Sequence, residues 1–206
     1  DKNASNGEDG KVISFISAAS GDGSSTVAMN TAYALAANYG KKTVLVDMDY
    51  QFGMVAKNLD LNTQFGIREL FDHPDRGIDN TLIKRMTAEY RDTLHVIGAP
   101  NELKFMPQIN PETVRSLIST LRAEYDFVII DLPHIWANWT SSVISSSTTM
   151  VMVAQLWLRS ITHASRLFIP WREMGIDDDN VTVVVNRAGA KFKEGISQTD
   201  FERVCS

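Results

Sequence analysis

Residues 11–26 read KVISFISAASGDGSST: an apolar run, then SAASGDGSST (17–26), then an alanine-rich stretch with helical spacing over 25–39. A strand that runs through glycines into a helix start is a phosphate-binding arrangement. Glycines let consecutive backbone N–H groups turn inward, and the helix N-terminus adds dipole charge. Gly21 and Gly23 serve the first need and the helix beginning near Ser25 the second. In the full G-x-x-x-x-G-K-[ST] pattern, Ser25 supplies the magnesium hydroxyl and Thr26 a further phosphate contact. The lysine of that pattern is Ser24 here, and its first glycine is Ala18. The letters also come close to the dinucleotide fingerprint G-x-G-x-x-G/A, as Gly21-x-Gly23-x-x-Thr26, with Asp47 where a ribose-binding acid would stand. A plain Ser/Gly turn is the third reading of the loop, and local sequence does not separate the three.

The surrounding chain supplies the frame. Apolar β-rich runs at 11–18, 42–49, 93–100, 126–133, 149–156 and 180–187 alternate with helical patterns at 25–39, 66–72, 78–90, 111–124 and 160–174. Several runs are continuously apolar, as in strands buried on both faces of a parallel sheet. Asn110-Pro111-Glu112 predicts a helix start, and Gly40 and Gly175 predict helix ends. The expected fold is α/β: a doubly wound, mostly parallel sheet flanked by helices, P-loop NTPase-like where the glycine loop is read as a phosphate loop. Ligands of such a sheet bind beyond the carboxyl ends of its strands. Polar residues gather at those ends: the loop at 19–26, Asp47 and Asp49, Asp131, and Asn186-Arg187.

"YDFVIIDLP" (125–133) places Asp131 at the end of a strongly apolar strand, the Walker B pattern, whose acid holds Mg²⁺ directly or through water. That acid favours the phosphate loop over the dinucleotide site. Asp47 and Asp49 alternate across the pleat, so one can face the metal and the other the phosphate edge.

The 206 residues suit one domain, and a net charge of −5 argues against a nucleic-acid partner. The short basic cluster Arg187, Lys191 and Lys193 reads as a solvated loop. The lone Cys205 fits a reducing, cytoplasmic setting, and the four histidines show no metal spacing. No apolar run reaches membrane-spanning length. Residues 1–10 read as a polar linker and 11–206 as the nucleotide-binding domain, expected to be excised from a longer chain and C-terminally incomplete. "SQTDFERVCS" (197–206) reads as a helix just begun, capped by Ser197 or Thr199. "HIWANWT" (134–140) places Trp136 and Trp139 beside the proposed site, as core or as interface. Trp157 and Trp171 read as core.

Taken together, the chain resembles the MinD/ParA group of deviant Walker A ATPases. Their loop K-G-G-x-G-K-[ST]-[ST] aligns with Ala19-Ser20-Gly21-Asp22-Gly23-Ser24-Ser25-Thr26. Within that group it is most similar to the CpaE/TadZ branch of Tad/Flp pilus assembly, through "VLVDMDYQFG", "YDFVIIDLPHIWANWT", "VVVNRAG" and "GISQTDFE". The resemblance implies ATP and Mg²⁺ as ligands, with phosphate contacts from Ser20, Gly21, Asp22, Gly23, Ser24, Ser25 and Thr26. It implies metal contacts from Ser25, Asp47 and Asp131, water positioning by Asp49, and adenine contacts from Asn186 with Arg187 flanking the base. It also implies an ATP-sandwiched homodimer, polar or pilus-assembly protein partners, and recruitment to the pole or inner membrane face without insertion.

Both family lysines are absent: the signature lysine is Ala19 and the P-loop lysine Ser24. Losing two charge-assisted bonds weakens nucleotide binding by roughly 10²- to 10⁴-fold. A cation lost from phosphoryl transfer costs on the order of 10³ to 10⁵ in rate. Asp22 is expected to add a carboxylate beside the phosphates. Binding with weak or absent hydrolysis is the resulting expectation. The alternatives are a nucleotide-free scaffold of the same fold and an NAD-binding protein. Arg159, Arg166 and Arg187 are the candidate replacement cations.

Overall fold

The computed structural model describes residues 9–63, 65–73, 77–103, 105–189 and 197–205. Its chain order is β1 (Lys11–Ser17), α1 (Ser24–Tyr39), β2 (Thr43–Asp47), α2 (Val55–Asn58), α3 (Ile67–Phe71), α4 (Asn80–Met86), β3 (Thr87–Arg91) and β4 (Leu94–Ile97). Then follow α5 (Pro111–Glu124), β5 (Phe127–Asp131), α6 (Asn138–Ser146), β6 (Thr149–Ala154), α7 (Leu158–Glu173), a 3₁₀ turn at Asp178–Asn180, β7 (Val181–Val185) and α8 (Gln198–Cys205). The seven strands form one sheet in the order β3-β4-β2-β5-β1-β6-β7, parallel except for β3 against β4.

Alternation along the central strands sorts the core into two layers. Val12, Ile16, Val44, Val46, Val128, Ile130, Met150 and Met152 face one way, against α3 to α8. Phe15, Leu45, Ile129, Val151 and Val153 face the other way, against α1. The buried stripe of α1 is Ala28, Ala32 and Ala36, four residues apart on one face. Alanines there let the helix lie close on the sheet, which brings its first turn against the end of β1.

The expected caps are present. Asn110 Oδ1 accepts from the Glu112 amide at 2.9 Å, Gly40 and Gly175 adopt left-handed backbone, and Ser197 Oγ accepts from the Asp200 amide at 3.1 Å. One expectation is corrected. The helix expected over 78–90 ends at Met86, and Thr87–Arg91 pairs antiparallel with β4. Leu82, Ile83 and Met86 complete the buried face of α4, and the next helical position inward would be Glu89 or Tyr90. A hairpin through Asp92-Thr93 pairs the backbone of this stretch instead. The pattern also passed over α2 and α6. Of the linker expected over 1–10, residues 1–8 lie outside the described residues, as do Lys191 and Lys193. Gly10 is buried, and its carbonyl accepts from Arg122 Nε at 3.0 Å.

Candidate nucleotide site

Beyond β1 the chain crosses above the sheet edge and turns into α1. Gly21 (φ 86°) and Gly23 (φ 102°) hold left-handed conformations that side chains disfavour, so the loop geometry depends on them. Gly23 caps α1 without any side-chain bond, and the first turn carries no acid. Among the described residues the amides of Gly21, Gly23, Ser25 and Thr26 meet no protein acceptor. An uncapped helix start with several free N–H groups is an anion site.

Side chains from the ends of β1, β6 and β7 and from the first turn of α7 hold this loop. Asp22 is wholly buried; its Oδ2 accepts from the Ala19 amide at 2.9 Å and its Oδ1 from Ser160 Oγ at 3.0 Å. The expectation that Asp22 lies beside the phosphates is therefore corrected: the turn at the two glycines aims its carboxylate into the protein. Asn186 Nδ2 donates to the Asp22 carbonyl at 2.8 Å, and Gln155 Nε2 to the Gly21 carbonyl at 3.1 Å. Ser17 Oγ donates to Ser24 Oγ at 2.9 Å and accepts from the Ser24 amide at 3.2 Å. Ser17, Gln155 and Ser160 were not singled out from sequence. Their signal was positional only: Ser17 ends β1, Gln155 follows β6 and Ser160 lies in the first turn of α7.

The acids meet one strand over. Asp47 and Asp131 are register partners at the ends of β2 and β5. Burial first, and then the charge of Asp131, push Asp47 up to about 7. Two amides oppose the shift: Asp49 N on Oδ1 and Val55 N on Oδ2, both at 3.1 Å. The carboxylate also packs against Gly53, where a Cβ would strike both its oxygens. Asp49 Oδ1 accepts from the amides of Gln51 (3.3 Å) and Phe52 (3.0 Å), which closes a turn. Burial pushes Asp131 up to about 6, with the Asp49 charge adding to it and the hydroxyls of Ser25 and Ser24 acting against it. Its Oδ1 is buried and has no partner.

That orphaned oxygen tests whether the site suits a divalent ion. Burial and nearby acid charge hold the protons of both carboxyls to higher pH, and Asp131, with a free oxygen beside the Ser25 hydroxyl, is completed chemically by a hard cation with oxygen ligands. Among the described residues no three His, Cys, Asp or Glu side chains form a metal cage. An Asp–Ser pair with the remaining positions left to phosphate and water is the pattern Mg²⁺ takes at nucleotide sites. The residues fit both Mg²⁺ and a phosphate chain.

The other expected contacts are dispersed. Arg187 follows β7, exposed, with φ 56°. Arg159 lies over the Trp157 ring at 4.2 Å, and Arg166 lies on α7 beside His134 and His163. The tryptophans divide: Trp139 and Trp171 are buried, Trp157 is half-buried and Trp136 is 49% exposed.

A family model described as an AAA domain matches residues 10–173. Among curated proteins, the chain is similar to the septum site-determining protein MinD of Thermotoga maritima, 25% identical over 182 residues, 86% of this chain and 64% of that protein. It is also similar to the sporulation initiation inhibitor protein Soj of Bacillus subtilis, 29% identical over 167 residues, 77% of this chain and 63% of that one. The chain thus spans a little under two thirds of these relatives. Among solved structures, a ParA family ATPase from Chlorobium tepidum superposes with a TM-score of 0.83 at 25% identity, over 95% of this chain and 80% of that one. MinD from Pyrococcus horikoshii complexed with Mg-ADP superposes with a TM-score of 0.73 at 17% identity, over 94% and 76%, a likeness of fold. The sheet order, the glycine loop entering α1 and these matches agree: the chain belongs to this AAA-domain family, within the MinD/ParA superfamily.

Proposed function

We propose that the protein is an ATP-binding localisation factor of Tad/Flp pilus assembly, of the CpaE/TadZ type, with a degenerate P-loop and slow or absent hydrolysis. The observation that carries the nucleotide reading is the uncapped start of α1 with Asp131 beside it, whose Oδ1 is buried without a partner. The amides of Gly21, Gly23, Ser25 and Thr26 take the phosphates, and Ser25 with Asp131 holds Mg²⁺. The ion supplies positive charge to the phosphate oxygens. Asp47, with both oxygens on backbone amides, anchors the turn that carries Asp49 rather than reaching the metal. Asp49 positions water, and Asn186 with Arg187 borders the base. Ala19 and Ser24 leave the phosphates without the two lysines, so turnover falls further than binding. The branch resemblance carries the homodimer and the polar pilus partners. Among the described residues no helix is long and apolar enough to cross a membrane.

Titration with a fluorescent ATP analogue tests this. The expected result is Mg²⁺-dependent binding in a range of about 10 µM to 1 mM, with the metal dependence lost in Asp131→Asn and weakened in Ser25→Ala. No binding at millimolar analogue in the full-length protein would overturn it. A second reading, a nucleotide-free scaffold, is favoured by one feature: Asp22, Gln155, Ser160 and Asn186 already hold the loop from within. An oligomeric state indifferent to ATP selects that reading.

A further inference from the structure

Behind the phosphate loop, on the α7 side of the sheet, lies an open groove of about 340 Å³. It is lined by Ile16, His134, Ile135, Trp136, His163, Arg166, Leu167 and Pro170. Three of these can carry positive charge and none is acidic, in a chain whose net charge is −5. The imidazoles of His134 and His163 stack with centroids 5.6 Å apart and planes 15° from parallel. His134 Nδ1 donates to the Ser17 carbonyl at 3.0 Å, which leaves its Nε2 edge for another group. His163 Nδ1 is buried and has no partner. Arg166 makes no ion pair among the described residues. The rest of the lining is apolar: Ile16 is buried on the floor, while Trp136 and Ile135 stand 49% and 41% exposed.

We infer that this groove binds a small organic acid. The acid group meets Arg166 and the paired imidazoles, and an apolar, preferably flat, body lies against Trp136, Ile135 and Leu167. The chemistry follows from the lining. A guanidinium is a strong donor to a carboxylate. The unpartnered Nδ1 of His163 offers a further donor beside it. The exposed indole and aliphatic side chains give the ligand body the apolar area that supplies most of its affinity. The volume lies at the small end of the range of about 300–1,000 Å³ for small-molecule sites, which suits a single ring with a short acidic arm. Apart from Arg166, expected from sequence as a replacement cation but placed with His134 and His163, the inference uses none of the residues assigned to nucleotide, so the two readings stand or fall separately.

The test uses the full chain without nucleotide and compares 4-phenylbutyrate with its neutral amide, followed by NMR of the histidine ring protons. The acid should shift the His134 and His163 signals and bind at least about tenfold more tightly than the amide. Arg166→Gln should weaken the acid by about tenfold and leave the amide unchanged, whereas Trp136→Ala should weaken both. Both side chains are surface-accessible, and an unchanged backbone amide spectrum checks that the variants fold. Equal affinity for acid and amide would overturn the inference. So would unmoved ring signals at about 10 mM acid, or an Arg166→Gln variant that binds the acid as before.

Discussion

Asp131 and Asp47 hold their protons to higher pH in the folded chain than in the unfolded one, at about 6 and about 7 against an ordinary 3.8. The native state therefore binds more protons than the unfolded state across that window, and stability falls as pH rises through it. The contribution is complete below the unfolded value and gone above about 7. Urea denaturation should give a midpoint that declines from about pH 4.5 to pH 7.5, and millimolar Mg²⁺ should restore part of the loss at the upper end. Asp131→Asn should flatten the decline and remove the Mg²⁺ effect. A second prediction at this scale concerns Gly23. At φ 102°, a Cβ would strain the backbone and come within 2.5 Å of Asn186 Nδ2. Gly23→Ala should cost about 1–3 kcal/mol by urea denaturation, and adding Asn186→Ala should recover only the steric part. The places of Gly21, Gly23, Asp131 and Asn186 beyond the strand ends were legible in the sequence, but not that Asn186, expected at the adenine, donates to the Asp22 carbonyl. The inward aim of Asp22 was not legible either, since it is set by two backbone angles and by Ser160, 138 positions away.

At the scale of elements, α1 shows what a small-residue stripe does. Ala28, Ala32 and Ala36 let the helix approach the sheet closely enough for Ser24 to meet Ser17. Ala32→Leu should wedge the helix outward, lower stability by about 1–3 kcal/mol in urea, and weaken nucleotide analogue binding as the first turn shifts. The parallel strands were readable because burial on both faces leaves unbroken apolar runs. β3 was not, because Thr87–Arg91 is a half-exposed edge strand whose letters fit the end of a helix as well as a hairpin. What decided it was the pairing partner Leu94–Ile97, a contact that helical periodicity over 78–90 does not contain. The α6 segment is rich in serine, and only Trp139, Val143 and Ile144 mark its apolar side.

For the whole molecule, the side chains left exposed at the carboxyl edge of the sheet include Phe52 and Met54 after β2, Trp136 after β5 and Leu158 after β6. Exposed apolar side chains at these strand ends would give the ATP-dependent dimer proposed above a surface to bury. Sedimentation should show the chain moving from monomer to dimer as ATP and Mg²⁺ are added, and Phe52→Ser should oppose the shift without altering the melting temperature. The order of the sheet also bears on how the chain is made. Of the seven strands β1 is made before the others yet lies between β5 and β6, pairing Lys11 with Phe127 and Ile13 with Thr149. Until those later segments emerge, both of its hydrogen-bonding edges are bare, and the loop to be closed is long. The nascent stretch from β1 to β4 is therefore the stage most exposed to chaperones and to mispairing, and maturation of the phosphate loop waits on synthesis of β5 to β7.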